Sequence, residues 1–198
     1  MNALITLAID TLRDPQGTAQ RIIEWDLDRA TLYMALCAVA AVNAVLATAP
    51  LVLNPASVDD LAREALPVLA LLERPLILFI LIAGGLVVMV QALFWAGRAM
   101  GGQGEMLDML AVLTWLQAMR AMAQAVILLL SFAVPTLAGL GALVVMIVAF
   151  WLMLHFISAA MRFDSLFRAL GLLIAVVAGL FIGLMLILTL LGVSAGGI

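Results

Sequence analysis

The stretch "GGQGEMLDMLAVLTWLQAMRAMAQAVILLLS", residues 101–131, decides the fold class of this chain. Beyond Asp108 it is almost entirely Leu, Ala, Met, Val and Trp. It is long enough, as a helix, to cross a hydrocarbon core of about 30 Å at about 1.5 Å per residue. Arg120 stands in its middle, with Gln117 before it and Gln124 after it. A charge at the centre of a bilayer costs about 2.5–3.5 kcal/mol even on the mildest scale. A span that keeps one has a use for it.

The rest of the chain agrees with a membrane reading. Of its 198 residues, 67% are hydrophobic and 11% charged, with a mean hydropathy of +1.29. A soluble domain is roughly 45–50% apolar and about 25% charged, so this chain has too little polar surface to cover a water-soluble globule. Several apolar runs exceed the roughly 18 residues that mark a spanning helix. The fold class is therefore all-α, a polytopic membrane protein with five transmembrane helices.

The spans fall at about 31–53, 75–97, 106–132, 136–160 and 169–193. Between them stand "NPASVDD", the glycine-rich "GRAMGGQGE", Pro135 after "SFAV", and the charged "MRFDSLFR". Residues 1–30 form a cytoplasmic interfacial segment ahead of a transmembrane domain over 31–198. In "NALITLAIDTLRDP", Leu4, Ile5, Ala8 and Leu12 recur at helical spacing, as in a helix lying on the membrane surface. Asp14 then Pro15 reads as an N-cap and first-turn proline opening a second helix. Ser57 and Asp60 suggest another short surface helix in the first outer loop. The N-terminus has no basic start followed by a long apolar stretch, so no cleaved signal peptide is expected.

All nine basic residues are arginine, and their distribution sets the orientation. With the N-terminus inside, Arg13, Arg21, Arg29, Arg98, Arg162 and Arg168 are cytoplasmic, and only Arg63 and Arg74 lie outside. The C-terminus then ends outside. The arginines are dispersed and the net charge is −3, so no nucleic-acid surface is expected. Cys37, the single cysteine, forms no intramolecular disulfide and makes no metal site.

At about 100° per residue, Gln117, Arg120 and Gln124 share one face of the third span, with Ser131 on the same face and Thr114 at its border. Arg120 lies about 22 Å along the helix from Glu105, too deep to reach either headgroup layer. The stripe therefore faces other helices or a water-filled gap. Asn43 in the first span is the best side-chain partner for Arg120 by depth. Gln91 and His155 lie in the inner halves of the second and fourth spans. Three readings stand open. The favoured one is a structural hydrogen-bond knot; the second is a path for a small solute, ion or proton, in a transporter or channel; the third is a contact with a lipid headgroup or a partner. Against transport, no internal repeat is present and the third span has no internal proline or glycine.

In the fifth span Gly171, Ala175, Gly179 and Gly183 recur at every fourth residue, a groove that lets another helix approach closely. Packing within the chain is the first reading and a subunit interface the second. Signatures of catalysis are absent: there is no H-E-x-x-H, no G-x-S-x-G and no second histidine. The chain reads as a non-enzyme without metal or cofactor.

The pattern of spans resembles the bacterial branch of the Yip family, the Ypt/Rab-interacting membrane proteins. "LRDPQGTAQRII" is similar to the segment that precedes the first span. "GRAMGGQGEMLDMLAVLTWLQ" looks like the family's glycine-rich turn into the third span. "HFISAAMRFDSLFRALG" is similar to its stretch across the fourth and fifth spans. The resemblance implies five spans with the N-terminus inside and a role in organising membranes. Eukaryotic relatives are implied to work in Golgi and ER traffic with Rab GTPases. The composition here looks bacterial, where no Rab partner is expected. Partners would be the lipid bilayer, another membrane protein or a second copy of this chain.

Overall fold

A computed structural model describes residues 2–53 and 74–190. It contains seven described helices: α1 Asn2–Arg13, α2 Pro15–Ile23, α3 Arg29–Leu53, α4 Pro75–Ala99, α5 Met106–Ala133, α6 Pro135–Met161 and α7 Leu166–Leu190. No strand occurs among the described residues. The helices α3 to α7 are all long and apolar enough to cross a membrane. The surface helix expected after Ser57 and the C-terminal "GVSAGGI" lie outside the described residues.

Local chemistry explains where the helices begin. Asp14 accepts from the Gly17 N–H at 2.9 Å and Pro15 opens α2, as its sequence predicts. Asp28 caps α3 by accepting from the Ala30 and Thr31 backbone N–H groups at 3.0 and 3.2 Å and from the Thr31 hydroxyl. The Thr31 hydroxyl, followed by its backbone N–H, holds the Asp28 carboxyl below the usual carboxylate range. This cap starts the first span two residues before the expected Thr31. The fifth span starts at Leu166 rather than Ala169, because Ser165 accepts from the Phe167 N–H at 3.2 Å through its hydroxyl and from the Arg168 N–H at 3.1 Å through its carbonyl. At α5, the Glu105 N–H donates to Asp108 at 3.1 Å.

Helices α3 and α5 run parallel, side by side, and α5 turns through Val134 into antiparallel α6. Helix α4 packs on α3, and α7 lies against α4 and α6. The core is concentrated toward the end of the bundle where α1 and α2 sit. Leu36, Leu93, Met109, Leu110, Phe156, Ile157, Met161 and Leu172 are fully buried there. Toward the opposite end the helices expose Leu129, Leu140, Ile147, Leu186 and Leu190. In a membrane these side chains meet lipid tails, where burial inside protein offers no hydrophobic advantage.

The first two helices are docked on this core. Pro15, Thr18, Ala19 and Ile22 of α2 are buried against α5 and α6. Helix α1 buries Leu7 and Thr11, and Thr11 accepts a 3.0 Å hydrogen bond from the Trp115 indole of α5. An ion pair of 3.2 Å between Arg21 and Asp10 links the two helices. Leu4, Ile5, Ile9 and Leu12 remain exposed on the other side of α1. This helix is apolar over two adjoining arcs, one against protein and one left open.

Candidate functional site

Two constellations stand out, one at mid-depth on α5 and one at the docked end. The first is the polar stripe. Thr114 is buried and donates back to the Leu110 carbonyl at 2.7 Å, while Ser131 is half-buried and donates to Leu128 at 2.7 Å. Both hydroxyls are satisfied within their own helix. Gln117 and Gln124 are half-buried.

Asn43 is buried and sits against this stripe from α3. Its amide donates to the Val39 carbonyl of its own helix at 2.9 Å and to the Gln117 backbone carbonyl across the interface at 3.1 Å. Its side-chain oxygen and that of Gln117 are buried acceptors without a hydrogen-bond partner. A buried acceptor left unpaired is uncommon, and such groups in pairs mark a place for a donor or a water.

Arg120 does not supply that donor. It is exposed, and no hydrogen bond or ion pair reaches it among the described residues. The expected Arg120–Asn43 pairing is thus replaced by Asn43 to the Gln117 backbone. The physical reason is position on the wheel. Gln117 lies about 60° round from Arg120, on the α3 side of α5, and leaves the guanidinium turned outward. Gln91 is half-buried on α4. His155, also half-buried, pairs with the Trp151 carbonyl at 2.9 Å, and its ring lies 4.7 Å from the Trp151 ring at an angle of 58°. Of the eight polar residues, only Asn43 and Gln117 are hydrogen-bonded to each other across helices.

The small residues of the fifth span also differ from their first reading. A Cβ on Gly171 would touch only the Met100 methyl at 3.7 Å, and one on Gly179 or Gly183 would meet nothing within 4 Å. Ala175 and Gly179 are exposed. Helix α7 instead packs through Ala169, Leu172, Leu173 and Val176. Larger side chains fill the space against α4 and α6, and no described helix approaches Gly179 or Gly183.

At the docked end, two stretches far apart in sequence converge. The turn after α4 closes with the Gly102 N–H on the Gly97 carbonyl at 2.8 Å, and Gly101 takes φ +88. Gln103 then donates its N–H to the Met161 carbonyl at 3.0 Å. Gly104 presses so closely on the α6 terminus that a Cβ would fall 1.7 Å from the Ala160 carbonyl oxygen. Arg162 ends α6 in the left-handed conformation, and Ser158 donates its hydroxyl to the Phe163 carbonyl at 3.1 Å. Arg162 also approaches Asp108 at 3.8 Å. The target of this turn on α6 is not marked in the sequence; its one signal is Gly97, Gly102 and Gly104 clustered around the turn.

Beside this end, an apolar pocket of about 180 Å³ opens between Trp25, Leu32 and Val39 on one side and Ala111, Trp115 and Ala118 on the other. Among the described residues, no three His, Cys, Asp or Glu side chains gather into a metal-ligand group.

No characterised protein and no solved structure matches the chain significantly. A family model does: the Yip1 domain matches residues 9–187, from within α1 almost to the end of α7. With five membrane-spanning helices and a match over nearly its whole length, the chain belongs to the Yip1 domain family.

Proposed function

We propose that this multi-pass membrane protein acts without catalysis, binding and organising partners in the bilayer through the outer faces of its spans. The partners are another copy, another membrane protein or lipid. The reading places the protein in a bacterial inner membrane, with residues 1–30 as a cytoplasmic interfacial segment and the C-terminus in the periplasm.

The observation that carries it is the unpacked C-terminal half of α7. Ala175, Gly179 and Gly183 form a groove suited to close backbone approach, and no described helix comes within 4 Å of a Cβ placed at Gly179 or Gly183. In lipid, close packing between backbones is a principal source of helix association. Single cysteines at Gly179 and Gly183, in a Cys37→Ala background, test this in native membranes. Oxidation should cross-link copies through either cysteine but not through one at Val177, on the opposite side of α7. Equal cross-linking at all three positions, or none, removes self-association through α7. Orientation is tested separately with a cysteine at Gln103, which an impermeant thiol reagent should leave unlabelled on intact cells.

A further inference from the structure

The structure leaves one cation exposed where lipid offers it nothing. Arg120 is the fifteenth residue of the 28-residue helix α5. It lies about 21 Å from the Met106 end and about 20 Å from the Ala133 end. A guanidinium has five donors and no acceptor, and it keeps its charge in proteins. No described residue of the chain pairs with it. Groups of this kind inside a membrane pair with one another, with backbone carbonyls or with water in a cavity.

We propose that Arg120 is a docking point for a transmembrane helix of a different protein that carries an aspartate or glutamate at mid-span. The proposal rests on the reading of this chain as a partner-binding membrane protein and names the chemistry of one partner. Three observations select it. First, the only acidic residue within the described spanning helices is Asp108, about 18 Å along α5 from Arg120. A second copy therefore brings no carboxylate from its described spans to the right depth.

Second, a two-fold contact between copies through this face would set one Arg120 against the other, because the same patch is used on both sides. Third, α5 presents Gln124 one turn beyond Arg120 on the same stripe, half-buried and with no hydrogen bond among the described residues. A carboxylate seated on the guanidinium fork accepts two parallel N–H bonds and neutralises the charge. The Gln124 amide adds a neutral donor beside it. Neither a neutral amide nor a backbone carbonyl on the partner would cancel the charge, and in low dielectric that is the dominant requirement.

The test uses the purified full chain in phosphatidylcholine vesicles. The probe is a synthetic single-span Leu/Ala peptide with one mid-span glutamate and a dansyl acceptor. Transfer from the native tryptophans reports association. The glutamate peptide should associate about tenfold more tightly than its leucine counterpart, and Arg120→Met should abolish that difference. A glutamine peptide should fall near leucine. The reciprocal pair separates lost docking from misfolding: Arg120→Glu with a mid-span arginine peptide should restore the preference.

Equal association of the three peptides with the wild type overturns the proposal. So does a glutamate preference that survives in Arg120→Met. Loss of the preference when phosphatidylglycerol is added would assign Arg120 to lipid phosphate, and Arg120-dependent self-association without peptide would assign it to a second copy. The α7 cross-linking experiment is independent of all these outcomes, so partner binding in general stands or falls separately.

Discussion

The side-chain amide of Asn43 donates to the backbone carbonyl of Gln117 at 3.1 Å, tying α3 to α5 near the middle of the bundle. The two residues are separated by 74 positions in the chain. The contact is asymmetric: the Asn43 donor is used twice, while its own oxygen and the Gln117 side-chain oxygen stay buried and unpaired.

Replacing Asn43 by leucine removes the interhelical bond together with one unpaired acceptor. The two effects oppose each other. Hydrogen bonds between spanning helices contribute about 0.6 kcal/mol on average and up to about 1.7. Asn43→Leu should therefore lower the melting temperature in detergent only modestly, by the equivalent of about 1 kcal/mol or less. Asn43→Asp should lower it more, since it deletes the donor and adds a carboxylate to a buried site. If aspartate is as stable as asparagine, the bond to Gln117 is not contributing.

Arg120 tests the same region from the other side. With no acceptor in the described chain to lose, Arg120→Leu should leave the isolated protein as stable as wild type or more so, because an exposed charge leaves the hydrocarbon. Thermal melts in detergent decide the point. A clear drop would mean that the guanidinium is held by acceptors inside the chain after all.

Gly104 should be far less replaceable than Gly139. At Gly104 a methyl would overlap the Ala160 carbonyl, and backbone on both sides has to move. Overpacking of this kind costs about 1–3 kcal/mol, with more where backbone resists. At Gly139 nothing lies within 4 Å, so alanine adds helix propensity worth up to about 1 kcal/mol at no steric cost. Gly104→Ala should melt lower and Gly139→Ala equal or higher; the reverse order would contradict the docking of the turn on α6.

Thr11 and Trp115 hold the first helix to the bundle. Thr11→Val keeps the shape but leaves the buried indole N–H without its acceptor, a loss of about 1–3 kcal/mol. The helix should then detach more readily, seen as faster proteolysis before Pro15 and a change in tryptophan emission. Thr11→Ser should behave as wild type. Identical cleavage rates for valine and serine would show that the bond does not anchor α1.

Asp28 gives the start of the first span a pH dependence. Its carboxyl is held below the usual range by the Thr31 hydroxyl and neighbouring N–H groups, so protonation is harder in the folded state than in the unfolded one. The stabilisation is fully present above the ordinary carboxylate value and is lost as pH falls through the lowered folded value. Hydrogen exchange at Ala30 and Thr31 should accelerate over that acidic interval, beyond the change in intrinsic rate, and Asp28→Asn should remove the pH dependence. The same acceleration in the asparagine variant would point to another group.

Five helices, their approximate ends and the Asp14–Pro15 start were legible in the sequence because each follows from local chemistry. Unbroken apolar length makes a span, and caps and prolines bound it within one or two turns. The family resemblance was legible in the order of three short stretches, which the Yip1 domain match over residues 9–187 then covered. Which face of a helix meets which neighbour was not legible. In a soluble protein apolar periodicity marks the inner face, but here lipid and protein interior are equally apolar, so the two faces of α7 read alike. Only the tertiary structure decided that α7 packs at Leu172 and Val176, while Gly179 and Gly183, on the same face two turns further along, meet no described neighbour. For the same reason depth alone suggested Asn43 as the partner of Arg120, whereas the packing of α3 on α5 gave its amide to Gln117 and turned the arginine out.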